Sequence, residues 1–322
     1  MKNFWKISSY LKKHLSIVIL VTIVLAIIIG AIFNLTALKS LTIPLTILIV
    51  FPMMIGLRFQ DIFSLKDVKV QLITQIVNFA LIPFIGYGLA IFFLHNQIEL
   101  AFGLLLVALL PTSGAMTISW TGFAKGNVQA AIKMTIIGLF LGSLCAPFYI
   151  NFLMGETILI PISRVVKLIF IIIIIPMILG QLTRIILARR YTEQSFNIEI
   201  KPKLPALSVW GLIGLIFVAI SLKAKFIVSE PSIIIQILIP LVLFYFVTYI
   251  LSSVVGKFFL IRKDAVALVY GTALRSLSLA LVMTLTIFQE KGAEIALLIS
   301  LAYIIQIQSA SWYLKLVDTI FR

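Results

Sequence analysis

The chain has 322 residues, 62% of them hydrophobic and only 11% charged, with a formal net charge of +15 and a mean hydropathy of +1.19. That much apolar surface exceeds what a soluble core of this length needs, so the composition points to a polytopic helical membrane protein. The positive charges lie in short loops between apolar runs rather than in a stripe with interleaved aromatics, which argues against nucleic acid as a partner.

Ten apolar runs are long enough to cross a bilayer as helices: approximately 15–33, 41–57, 70–95, 100–121, 127–154, 163–187, 205–222, 232–256, 265–288 and 292–316. The first is too long for a signal-peptide core and lacks a small-residue cleavage pattern, so it reads as a span. Eighteen Lys and Arg fall on the side of the membrane that holds the N-terminus and six on the other. The positive-inside rule then predicts a multi-pass protein of the cell membrane with both termini cytoplasmic, as an even span number requires. Lys133 and Arg275 belong to neither side, because they fall inside predicted spans.

Two spans are interrupted. The fourth runs into "LLPTSGAMTISWTGFAKGN", residues 109–127, and the ninth contains "VYGTALRSLSLALVMT", residues 269–284. Breaking a helix inside lipid strands backbone groups without water, at several kcal/mol each, and is tolerated only where the break lines a protein-buried or watery cavity. With the chain divided after span 5 into 1–154 and 155–322, the halves enter the membrane from opposite sides. Each then carries its interruption in its fourth span. Interrupted helices in matching positions of an inverted repeat point to a secondary transporter with substrate bound near the midplane. Around the first break Pro111 cannot donate a hydrogen bond, Gly114 permits unusual dihedrals, and Thr112, Ser113 and Thr117 supply local partners. Pro, Gly, Ser and Thr also serve as ordinary kinks and packing contacts in membrane helices, and it is the pairing of the two breaks that favours the transporter.

The stretches "FPMMIGLRFQDIFSLKD", "QIVNFALIPFIGYGLA" and "PTSGAMTISWTGFAKGNVQAAIKMT" resemble the bile acid:sodium symporter family and its arsenite-efflux relatives. The resemblance implies an all-α fold of ten transmembrane helices in two inverted five-helix repeats. It implies a panel domain of helices 1, 2, 6 and 7, a core domain of helices 3–5 and 8–10, and unwound helices 4 and 9 that cross. Substrate would bind beside the two breaks, between core and panel, and movement of one against the other would alternate access.

Carrying the family's sodium sites across shows departures. A glutamine of span 3 falls on Asn78, and the two hydroxyls of span 5 fall on Ala131 and Thr135. The Ser-Asn pair of the span 4 crossover falls near Met116, Thr117 and Ile118, displaced because this chain has one extra residue between Pro111 and "AKGN". The glutamate of span 9 falls on Gly271 and the following glutamine on Arg275. "RSLSLAL" is closer to the arsenite permeases, whose span 9 also carries an arginine. Those permeases typically have a cysteine just after the span 4 proline; here that residue is Thr112, and Cys145 lies further on in span 5.

Sodium wants several oxygen ligands, preferably with a carboxylate, and all eleven acidic residues lie in predicted loops or at span ends. An intramembrane Lys or Arg costs at least ~2.5 kcal/mol on insertion scales and so faces a cavity or a partner. Lys133 and Arg275 are therefore expected to occupy the places of the coupling ions and hold the crossover together without sodium. Two other roles compete. Arg275 could instead grip an anionic substrate with its fork, and Lys133 could snorkel to the cytoplasmic edge. The expected ion-site equivalents are Asn78, Thr117, Lys133, Thr135, Gly271, Thr272, Arg275 and Gln306. The expected substrate contacts are Thr112, Ser113, Gly114, Thr117, Arg275, Ser276 and Ser278. Gln306 and Gln308 lie two residues apart and cannot share a helix face, and Gln306 is the one expected at the crossover.

The expected solute is a small organic anion or polar molecule, since no acidic group is available to receive a cation. Sodium-coupled symport and arsenite or other metalloid efflux are the alternatives. No cofactor or resident metal is expected, and a bound sodium ion is disfavoured. The single cysteine excludes an internal disulfide, and His14 and His95 sit at membrane boundaries. An intramembrane enzyme would need buried aspartates, an H-E-x-x-H motif or a histidine at depth, and the sequence places none there. A channel would need a continuous polar path, which paired interruptions fit less well than alternating access.

Overall fold

The computed structural model describes residues 2–56, 67–110, 112–155, 175–201, 203–222, 224–229, 231–287 and 292–321. Among them all regular structure is helical. The principal helices are α1 (Lys2–Lys13), α2 (Leu15–Ile32), α3 (Thr42–Ile55), α4 (Val68–Leu94), α5 (Ile98–Leu109), α6 (Gly114–Phe123) and α7 (Val128–Met154). After them come α8 (Ile175–Ala188), α9 (Lys203–Ser221), α10 (Ser232–Phe259), α11 (Arg262–Ala273), α12 (Leu277–Ile287) and α13 (Gly292–Ile320).

Helix occurs in each of the ten apolar runs, but among the described residues length and apolarity qualify four stretches to cross a bilayer: 68–94, 232–259, 262–284 and 292–320. A fifth, 128–154, qualifies if its two limbs, bent by 52°, count as one. Pro147 withdraws an N–H within that helix, which is the usual cause of such a bend. The difference from the expected ten has local causes. Run 4 is broken between α5 and α6, the helix described in run 2 has 14 residues, and run 6 is described only from Ile175.

One compact unit comprises Met1–Arg58, Ser163–Pro231 and Leu281–Ser300. In it α9 packs on α1, α2 and α3, and α8 packs on α3. Lipid offers no hydrophobic drive for helices to associate, so close backbone approach and hydrogen bonds carry the packing. A Cβ on Gly211 would sit 2.8 Å from the Leu45 carbonyl oxygen, and one on Gly30 would sit 2.4 Å from that of Ser221. Ser208 Oγ donates to the Ile49 carbonyl at 2.8 Å, fastening α9 to α3.

The second unit comprises Phe59–Ile162, Ser232–Ala280 and Leu301–Arg322. Its centre is formed by α5 and α11: every residue over 100–110 and 265–277 is buried, which includes the second break. A helix that is apolar all round suits such a position. Within α4 a π turn spans Val77–Leu81. Pro83 has no N–H for the Phe79 carbonyl, and the Tyr149 hydroxyl of α7 donates to that oxygen instead.

Candidate functional site

The two breaks meet. Between α5 and α6 the chain leaves helix at Leu110, and Thr112 adopts φ 53. A left-handed conformation costs a β-branched residue about 1–3 kcal/mol. No described glycine has positive φ, so the conformational freedom expected of Gly114 is not used; it opens α6 as an ordinary helical residue. Between α11 and α12 the chain leaves helix at Leu274. Ser113 N donates to Leu274 O at 2.6 Å, and Ser276 N donates to Leu110 O at 2.9 Å. These reciprocal bonds satisfy donors and acceptors that the interruptions release.

Arg275 closes the arrangement. It is 0% exposed and the largest fully buried side chain of the described residues. Its Nε donates to the Val107 carbonyl at 3.1 Å, Nη1 to Asn78 Oδ1 at 2.8 Å and to the Thr272 carbonyl at 3.0 Å, and Nη2 to the Ala108 carbonyl. Pro111 chemically cannot supply the N–H that Val107 would receive within a helix, and the left-handed Thr112 has left the helix that would serve Ala108. Val107, Ala108 and Thr272 all lie in the last turns of α5 and α11. Each helix C-terminus carries roughly half a negative charge, so two of them offset one guanidinium without a carboxylate. Four of the five N–H groups of the fork are committed to protein oxygens.

Gln306 of α13 serves the backbone at the same place. Its Oε1 accepts from Arg275 N at 2.7 Å and from the Tyr245 hydroxyl at 2.9 Å, while Nε2 donates to Arg275 O at 3.2 Å. The side-chain amide thus stands in for the peptide group of an unbroken helix. Asn78, in the π turn of α4, also donates from Nδ2 to the Gly271 carbonyl at 3.3 Å, and Thr112 Oγ1 donates to the same oxygen at 2.9 Å. Thr117 Oγ1 donates to the Tyr270 carbonyl at 3.3 Å. A Cβ at Gly271 would lie 2.7 Å from Met134 Sδ, so an acidic side chain there would have to displace the methionine.

The expected residues therefore divide. Asn78, Thr112, Ser113, Thr117, Gly271, Thr272, Arg275, Ser276 and Gln306 converge on the crossing, with Gly114 and Ser278 in the first turns of the outgoing helices. Thr272 takes part through its carbonyl, and its buried hydroxyl has no hydrogen-bond partner. The Thr135 hydroxyl donates to Ala131 O of its own helix at 3.0 Å. Lys133 departs from its expected role. Its Nζ forms an ion pair with Asp67 at 3.1 Å, 66 residues away and just before α4. Asn127, the N-cap of α7, donates from Nδ2 to both Asp67 (2.9 Å) and Asp264 (2.8 Å), which draws the ends of α4, α7 and α11 into one polar cluster. Sequence reasoning missed Tyr245, Tyr149 and the Asp67–Asn127 cluster. The signals were faint: a proline four residues beyond an orphaned carbonyl, and an N-capping asparagine after "AKG".

Residues 42–230 match the family model described as the Sodium Bile acid symporter family. The chain belongs to that family. Members of that family are membrane transporters, and with its apolar helices this chain is a multi-pass membrane protein. Two curated relatives carry the name "Arsenical-resistance protein Acr3". That of Corynebacterium glutamicum is 27% identical over 237 residues, covering 68% of this chain and 62% of the relative. That of Alkaliphilus metalliredigens is 25% identical over 234 residues, covering 66% of this chain and 64% of the relative. The chain thus spans less than two thirds of the length of either. The family match ends before α11, so the Arg275 break lies outside the residues that establish membership.

Proposed function

We propose that the chain is a secondary carrier that moves a small organic anion by alternating access without a coupling sodium ion. The observation that carries this reading is the buried Arg275 guanidinium, held by four oxygens from α4, α5 and α11. A set of carbonyl and amide oxygens converging on a positive charge is what a bound alkali ion would also demand. The fork is spent on protein groups, which favours a fixed cation within the crossover over a group that grips substrate. Lys133, paired with Asp67, has no part in this reading.

The outgoing helices α6 and α12 begin at the breaks and carry partial positive charge at their N-termini. Ser113 caps α6 without a side-chain bond to it, which leaves its hydroxyl for a ligand. Substrate is read as lying there, against Thr112, Ser113, Gly114, Thr117, Ser276 and Ser278. Ten spans in two inverted repeats, 1–154 and 155–322, with a panel of helices 1, 2, 6 and 7 and a core of the rest, remain the architecture we infer. Cytoplasmic termini in the plasma membrane go with it.

The test is uptake by proteoliposomes of radiolabelled small carboxylates and sulfonates, with sodium replaced by choline. Equal rates in both media are expected, and strict dependence on sodium would sink the proposal. A second reading, efflux of arsenite, is favoured by the printed name of the two relatives. Arsenite belongs in the same assay: its saturable transport, with no carboxylate or sulfonate carried, selects that reading. The thiol route is disfavoured because Thr112 follows the proline and Cys145 lies within α7.

A further inference from the structure

Helix α1 takes no part in the transport reading, yet its surface is specific. Its twelve residues, KNFWKISSYLKK, include four lysines and no acidic residue. With about 100° between successive residues, Phe4, Ile7 and Leu11 fall on one stripe and Lys2, Lys6 and Lys13 on the opposite one. A third face is docked on α9. Trp210 Nε1 donates to Ser8 Oγ at 2.8 Å, the Trp210 ring stacks on Phe4, and Lys203 Nζ lies 5.5 Å from the centre of the Trp5 ring. After that docking Ile7 is still 51% exposed and Tyr10 63%, and Lys6 and Lys13 are exposed as well.

We propose that α1 is an interfacial helix that binds a bilayer surface carrying acidic phospholipid headgroups. Only His14 separates it from α2, whose exposed Ile17, Leu20, Val21, Val24, Leu25 and Ile28 require an apolar surrounding. The chain therefore leaves the bilayer at α1, and a bilayer surface is what lies against it. An apolar stripe opposite a lysine stripe matches the boundary between acyl chains and anionic headgroups, where each lysine near the surface adds attraction. A soluble acidic partner would answer the lysines and leave Ile7 and the exposed part of Phe4 in water. The inference rests on the chain being a membrane transporter but not on its substrate or on Arg275, so the two proposals fail separately.

The experiment uses the full-length protein with Cys145→Ser and a nitroxide label at Ile7→Cys or, on the polar side, Ser9→Cys. Each is reconstituted in phosphatidylcholine vesicles with and without phosphatidylglycerol, and label collisions with oxygen and with a water-soluble nickel chelate are compared. In acidic vesicles the oxygen-to-nickel ratio at position 7 should exceed that at position 9 by about threefold or more. Omitting the acidic lipid, or replacing Lys2, Lys6, Lys12 and Lys13 by Gln, should lower the ratio at position 7 by about twofold or more. The lipid comparison keeps all four lysines, so a poorly folded lysine variant does not remove the test. Equal water access at both positions, or a ratio indifferent to lipid charge, would overturn the proposal. So would spin–spin broadening at position 7 that vanishes on dilution with unlabelled protein, because a second copy would then cover the face.

Discussion

Arg275 and Lys133 are both cations within apolar runs, and their surroundings assign them different work. Removing the guanidinium leaves the Val107 and Ala108 carbonyls buried without donors, at about 1–3 kcal/mol for each unsatisfied group. Arg275→Gln is therefore expected to lower the thermal transition of the purified protein markedly and to make it respond to sodium, since a site for a cation is re-created. Thermal melts in sodium chloride and choline chloride check this. A mutant melting like the wild type, or ignoring sodium, would remove the stand-in role. For Lys133 the informative change is Asp67→Asn. The pair is 6% and 17% exposed, so taking this carboxylate from the buried lysine should cost about 1–3 kcal/mol, less than for a fully dry pair. Adding Lys133→Met should recover most of that loss, and a double-mutant cycle by thermal denaturation measures it.

Elements are positioned here by the accounting of backbone groups that prolines release. Pro83 frees the Phe79 carbonyl within the π turn of α4, and that turn presents Asn78 to Arg275 and Gly271. Tyr149→Phe removes the hydroxyl that answers the carbonyl, so a loss of about 1–2 kcal/mol is expected. Unchanged melting would mean that water or a shifted helix answers it instead. In the other unit the close approach of α9 to α3 has no room for a side chain at Gly211. Gly211→Leu should force the helices apart at a cost of about 1–3 kcal/mol or more, visible as lost yield of monodisperse protein in detergent.

At the scale of the whole molecule, a tethered cation changes what an empty carrier can do. A sodium-coupled protein returns unloaded only when its ions have left, whereas a guanidinium bonded to the crossover never leaves. On the proposed function the protein is then expected to exchange freely. Preloading vesicles with unlabelled substrate should accelerate entry of labelled substrate, with sodium absent on both sides. A flux that rises linearly with concentration and shows no such stimulation would indicate a channel.

The sequence by itself determined the all-helical membrane class, the apolar runs in which helix occurs and the two interruptions. Hydrophobic run length and proline chemistry are local quantities, and each can be read along one strand of chain. The prominence of Arg275 was legible for the same reason: a charge in an apolar run needs a partner. Only the tertiary structure decided which partner. Val107 and Ala108 lie well over a hundred residues from Arg275, and Asp67 lies 66 from Lys133. Carbonyl oxygens leave no mark in a sequence, so the acceptors that hold the arginine could not be read from it. Nor could the strain at the first break be assigned to Thr112 rather than Gly114, because φ there is fixed by the bonds Thr112 and Ser113 make to the opposite break.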